Sequence, residues 1–265
     1  MSQSELRLFK SVFLSLSFFL LLALPQPGAE VRVDESIRIG RVKELKGTAT
    51  AKLSNGEIRD VLKDGSVFLN EELTTGPDTH IHLEFLDKTL LDMGPNAKCV
   101  LDQYVYDPAN RNVSFQARMV RGVFRLVTGE IAKISPEKTK VNLPTGSLGI
   151  RGTTVLGDVT GMRTLVILSL SQGELPAGHH IVVSQTVAGK VHEVNLDEVG
   201  YGTMIEGQNM PPGKPFRVST DVLNRILKDM GFGSSDLNKK PEPKKEPPKE
   251  ENKNEDPQIY SAKFF

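Results

Sequence analysis

The sequence predicts an all-β fold, as a roll, short β-helix or sandwich, with one C-terminal amphipathic helix and a disordered tail. Three observations predict it. Ile81, Leu83 and Phe85 alternate with His80, His82 and Glu84, the period of a strand with one face in a core. Gly47, Asn55-Gly56, Asp64-Gly65, Thr75-Gly76-Pro77 and Gly94-Pro95-Asn96 recur at the short turn spacing of an all-β domain. One stretch near the C-terminus, with Val222, Leu223, Ile226, Leu227 and Met230 apolar, has helical spacing instead.

At the N-terminus, Arg7 and Lys10 precede an apolar run over 12–24, then Pro25, Pro27 and Ala29, the pattern of a secretory signal peptide covering 1–29. The run is shorter than the roughly 20 residues a spanning helix needs, although an uncleaved anchor is the alternative. The expected location is therefore outside the cytoplasm, in the periplasm or envelope of a bacterium or beyond it. The chain has 265 residues, with 33 basic and 33 acidic side chains, so no global field favours nucleic acid or anionic lipid. Removing 1–29 takes away Arg7, Lys10 and Glu5 and leaves the balance nearly unchanged. Cys99 is the one cysteine, which excludes an internal disulfide and reads as a buried, inert thiol.

From Val31 to Leu101 the chain reads as short strands, with Asn55-Gly56 the strongest hairpin signal because both residues tolerate the positive φ of a type I′ turn. The wet positions His80, His82 and Glu84 share one strand face and are weak candidates for a metal site; the plainer reading is a solvated face, with no metal and no cofactor. The strand pattern continues from Asn112 to Ile134, with a turn at Thr128-Gly129-Glu130 and with Arg111, Arg118, Arg121, Arg125 and Lys133 read as a solvated face.

The most constrained stretch follows, Lys140 to Val155. Gly146, Gly149 and Gly152 recur every third residue between β-branched flanks, which predicts strand, glycine corner, strand. The spacing and the strand after it exclude a dinucleotide fingerprint and a P-loop. Pro144, Gly146, Gly149, Arg151, Gly152 and Thr153 are expected to form a structural motif in which Arg151 satisfies carbonyls or a carboxylate left unpaired by the turn.

Further pieces set the resemblance: Gly40-Arg41-Val42 with Gly47; Asn70 through Gly76; Ile81 through Ala97; Gly122-Val123-Phe124-Arg125; and Leu143-Pro144-Thr145 through Gly149-Ile150-Arg151-Gly152-Thr153. In this order, over about Ile39 to Gly157, they resemble the FecR domain, the periplasmic sensor module of the ferric-citrate regulator family. Asp87-Lys88-Thr89 stands where the family has Asp-Gly, which predicts a looser hairpin there. Eleven residues precede the apolar run and Trp is absent, so the resemblance carries over the domain and not the family's cytosolic sigma-factor-contacting segment.

Residues 165–170 form a nearly unbroken apolar run, suited to a strand buried on both faces. Ser219 or Thr220 caps the helix, Gly231 stops it, and its apolar stripe is expected to dock on the β body. Between Lys239 and Asp256 six lysines balance six acidic residues with almost nothing apolar, a composition that cannot bury enough surface to fold. The expected organisation is a signal peptide to 29, a FecR-like β domain over 30–157, a β extension plus helix over 158–233, and the tail over 234–265. No nucleophile elbow or metalloprotease motif is present, and no catalytic residue is assigned. The reading is a non-enzymatic envelope module that binds a protein partner in signalling or scaffolding. The alternative class is an envelope or surface glycan-binding or adhesion module, against which the absence of Trp counts.

Overall fold

The computed structural model describes residues 37–169 and 178–232. The expected signal peptide, Leu170 and the tail lie outside these residues. The chain divides into units 1–37 and 38–265, and the fold belongs to the second. Among the described residues no helix is long and apolar enough to cross a membrane.

Short strands dominate, in the order β1 (Arg38–Lys46), β2 (Ala49–Lys52), β3 (Ile58–Asp60), β4 (Ser66–Phe68), β5 (Glu72–Thr75), β6 (His80–Phe85), β7 (Leu90–Met93) and β8 (Lys98–Asp107). The long β9 (Asn112–Val127) leads to a short helix α1 (Glu130–Ile134) and a 3-10 turn. Then come β10 (Thr139–Leu143), β11 (Gly146–Arg151), β12 (Thr154–Thr160), β13 (Arg163–Ser169), β14 (His180–Val187), β15 (Lys190–Leu196), β16 (Tyr201–Ile205), β17 (Phe216–Arg217) and helix α2 (Thr220–Asp229). The fold is all-β with one main helix near the C-terminus, as expected. The strand pattern expected to run to Ile134 stops at Val127, and α1 takes its place.

The strands form two ladders that share β9. One, ladder A, runs β4–β1–β6–β7–β9–β12–β13–β16–β17. The other, ladder B, runs β3–β2–β5–β8–β9–β10–β11–β14–β15. Residues 112–121 of β9 pair within ladder B and residues 122–127 within ladder A. The change falls at Gly122, whose φ of +95 turns the strand, and where an added Cβ would stand 2.6 Å from Ala97 Cα. All pairings are antiparallel except β9 with β10.

The ladders face each other across one core. Phe85 of ladder A packs edge-on against Phe115 of ladder B at 5.1 Å between ring centroids and stacks on Tyr104 at 5.9 Å. The outer face of ladder A carries a second apolar cluster, where Ile226, Leu227 and Met230 of the helical segment meet Val123, Leu156, Leu165 and Ile167. Strand β13 is accordingly buried on both faces, with Val166 and Leu168 in the main core and Leu165 and Ile167 under the helix. The caps of α2 also follow expectation. The Ser219 hydroxyl accepts from Val222 N at 3.5 Å, while Gly231 (φ +81) lets Gly231 N donate to Lys228 O and Phe232 N to Leu227 O.

Turn geometry departs from expectation in two places. At Asn55-Gly56 only Gly56 has positive φ, and Leu53 N donates to Glu57 O; the hairpin is a longer loop closed by an αL glycine rather than a type I′ turn. The hairpin at Asp87-Lys88-Thr89 is tight, not loose. Lys88 adopts φ +68, and Asp87 beside it is fully buried, for reasons that involve α1.

Candidate protein-binding surfaces

The glycine stretch is not one corner. Leu143 ends β10, Pro144 and Thr145 turn, and Gly146 and Gly149 lie within strand β11. Each glycine has its own situation. A Cβ at Gly146 would lie 2.6 Å from Ser184 O on β14, so close strand approach requires it. At Gly149 the nearest atom would be a Val182 carbon at 3.9 Å, an ordinary contact that requires no glycine. Gly152 has φ +63 and sits against the His179 ring, and Thr153 next to it is buried. Arg151 ends β11 exposed, and among the described residues no hydrogen bond or ion pair reaches its guanidinium. Next to it Thr128 Oγ1 donates to Thr153 O at 3.1 Å.

His80, His82 and Glu84 do line one face of β6, on the outer side of ladder A. They do not converge. The His80 ring packs against Gly231 at the end of α2. His82 Nδ1 bonds Asp92 on β7, and the other oxygen of Asp92 accepts from Arg125 on β9 at 2.8 Å. The Arg125 guanidinium then stacks on Phe232, 5.2 Å from the ring centroid. Arg125 is thus a buried-edge cation and not part of a solvated face. Arg118, Arg121 and Arg111 are likewise tied down, to Asp102, Asn96 O and Ile134 O. Among the described residues no group of three His, Cys, Asp or Glu is arranged to hold a metal ion.

Glu84 is ringed by cations. Lys88 donates to it at 2.7 Å, and Lys43 and Arg41 approach at 3.2 Å each. The Lys88 hydrogen bond, followed by those of Lys43 and Arg41, outweighs desolvation and holds its carboxyl down at about 2. A cleft of about 200 Å³ opens beside it, lined by Arg38, Gly40, Arg41, Glu84, Phe85, Leu86 and Lys88. The cations outnumber the carboxylate, which gives this end of ladder A a local excess of positive charge.

Buried polar groups elsewhere serve the fold. Asp87 accepts from Thr89 Oγ1 at 2.7 Å, from Tyr104 OH at 3.2 Å and from Ile131 N at 3.3 Å, so one carboxylate pins the β6–β7 hairpin to β8 and to the start of α1. Burial and the Asp87 charge push the Tyr104 hydroxyl well above its usual range. Glu71, equally buried, accepts a two-pronged bond from Arg59 at 2.9 Å on each oxygen and a third from Phe68 N. Burial lifts the Cys99 thiol to about 12, in keeping with an inert core cysteine. Sequence reading passed over Asp87. Its odd-numbered parity, in line with Ile81, Leu83 and Phe85, was the available signal of burial.

Strand β15 is the outermost strand of ladder B. Among the described residues it pairs with β14 alone, and Lys190, Val191, Glu193 and Asn195 are exposed. At the opposite margin β3 has three residues and carries exposed Ile58.

Residues 71–175 match the family model described as FecR protein. Over these residues the chain is similar to the FecR family. The match starts later than the resemblance drawn from Ile39 and runs beyond Gly157. Inside it lie β6 to β9, with Asp87 and Glu84, and the whole glycine stretch. Among curated proteins nothing matches this chain. Two solved structures titled "Crystal structure of a putative anti-sigma factor from Parabacteroides distasonis" are 10% and 11% identical, with TM-scores of 0.41 and 0.40. Each comparison covers 59% of this chain, and 63% and 64% of those chains. A structure titled "Cell surface anchoring domain" is 26% identical over 23% of this chain and 80% of its own, with a TM-score of 0.23.

Proposed function

We propose that this chain is a non-enzymatic sensor module of the cell envelope that binds an extended segment of a protein partner, in signalling or scaffolding. The observation that carries the reading is the margin of β15 that no described strand pairs with, seven residues long with alternate side chains exposed. Such an edge presents a row of backbone donors and acceptors that an added strand completes, with side chains on either face supplying selectivity. The FecR match supports a signalling role, and the family resembled is regulatory. Export belongs to the proposal and rests on the charged and apolar pattern of residues 7–24. So does the division at 29, 157 and 233.

The experiment is a pull-down from envelope extract with the intact chain and with a variant carrying Val191→Lys and Asn195→Lys, both at exposed positions. Loss of the partner from a normally folded variant is the expected result. Recovery of the same partner by the variant would remove β15 from the interface, and recovery of glycan fragments without protein would put the glycan class in its place.

A further inference from the structure

The cationic cleft at the end of ladder A has a candidate occupant within this chain. Arg38, Arg41 and Lys88 line it together with the single carboxylate of Glu84, an excess of two positive charges, and Lys43 reaches the same carboxylate from beside the cleft. Glu44 and Lys46 further along β1 cancel each other. The floor is partly apolar, with Leu86 45% exposed. What fills such a cleft best is a short anionic stretch followed by an apolar residue.

The chain beyond α2 contains that pattern. Its charges are segregated: 239–249 holds five lysines and two glutamates, whereas 250–256 holds Glu250, Glu251, Glu255 and Asp256 against Lys253 alone. The second stretch carries three excess negative charges, opposite in sign to the cleft and to Lys43 beside it, and Ile259-Tyr260 follows it. The exit point is also on this face. Phe232 stacks on Arg125, Arg125 pairs with Asp92, Asp92 bonds His82, and His82 is two residues from Glu84 on β6. Seventeen residues separate Phe232 from Glu250. At no more than about 3.5 Å per residue they reach across roughly 60 Å, far beyond this short relay.

We propose that the acidic stretch Glu250–Asp256 of this chain docks in the cleft lined by Arg38, Arg41 and Lys88, beside Lys43. Exposed ion pairs are individually weak, so a free acidic peptide gains little there. A tethered one is held at an effective concentration on the order of millimolar, which makes weak docking sufficient. This docking goes beyond the β15 reading, on which it does not depend.

Zero-length carbodiimide coupling of lysines to carboxylates in the full chain tests this, on a mixture of light and heavy isotope-labelled protein mapped by mass spectrometry. The expected products are links from Lys43 or Lys88 to Glu250, Glu251, Glu255 or Asp256 within one chain, lost at high salt. Their yield should fall about fivefold or more in the variant Arg38→Gln, Arg41→Gln, which keeps every coupling group and adds none. The Lys88–Glu84 link in the same digest reports that the hairpin is intact. Tail links spread evenly to distant lysines such as Lys140 and Lys190, links only between chains, or an unchanged yield in the variant would overturn the proposal.

Discussion

Glu84 shows how one residue changes meaning between sequence and structure. In the sequence it is the third member of a possible metal triad; in the fold it is an anion held by Lys88, Lys43 and Arg41 while His80 and His82 turn to other partners. Its folded-state value of about 2 lies below the ordinary 4.5, so the stabilisation is complete above about 4.5 and is lost as pH falls through 2. The partners are 69%, 39% and 51% exposed, so solvent screening reduces the effect to about 1 kcal/mol. Glu84→Gln is therefore expected to lower stability by that amount near pH 7, and the deficit should vanish toward pH 2. Denaturant titrations of both proteins across this range check it, and a pH-independent deficit would point to packing instead of charge. Arg151 illustrates the reverse: prominent in the sequence, it is exposed and without a partner among the described residues.

At the scale of elements, β9 is the strand on which both ladders depend, and Gly122 is the residue that lets it serve both. Gly122→Ala places a Cβ 2.6 Å from the Ala97 backbone in addition to the positive-φ cost, about 3 kcal/mol or more together. Gly161→Ala is the control, since Gly161 has φ +59 with nothing within 4 Å of its missing Cβ, and carries only the conformational cost of about 1 kcal/mol. At roughly 2–4 °C per kcal/mol, thermal melts should separate the two variants by at least several degrees, and equal losses would refute the close approach. Elements set by local periodicity were legible in the sequence. The alternation of 80–85, the double burial of 165–169 and the caps of α2 all depend on neighbours a few residues away. What was not legible depends on the strand opposite. Gly122 changes ladders because Ala97 lies against it, Arg125 is half-buried because Asp92 and Phe232 meet it, and the 130–134 segment turns helical where Asp87 receives Ile131 N.

For the molecule as a whole, the sharing of β9 bears on cooperativity. Neither ladder can open without exposing the core they hold in common, in which Phe85 of ladder A touches Phe115 and Tyr104 of ladder B. Two ladders with separate cores would melt as two units. These two should melt as one, so the near-ultraviolet signal of buried Tyr104 and the far-ultraviolet signal of the strands are expected to disappear together, with equal calorimetric and van't Hoff enthalpies. Helix α2 stands apart from this unit. It covers a much smaller apolar cluster on the outer face of ladder A, and its removal leaves the inter-ladder core untouched. Sub-global opening is therefore expected at α2 first, with amide exchange at Ile226 and Leu227 markedly faster than at Phe115 and Phe124 in β9. Two resolved melting transitions would show that β9 does not couple the ladders, while equal protection of α2 and β9 would make the helix part of the cooperative core.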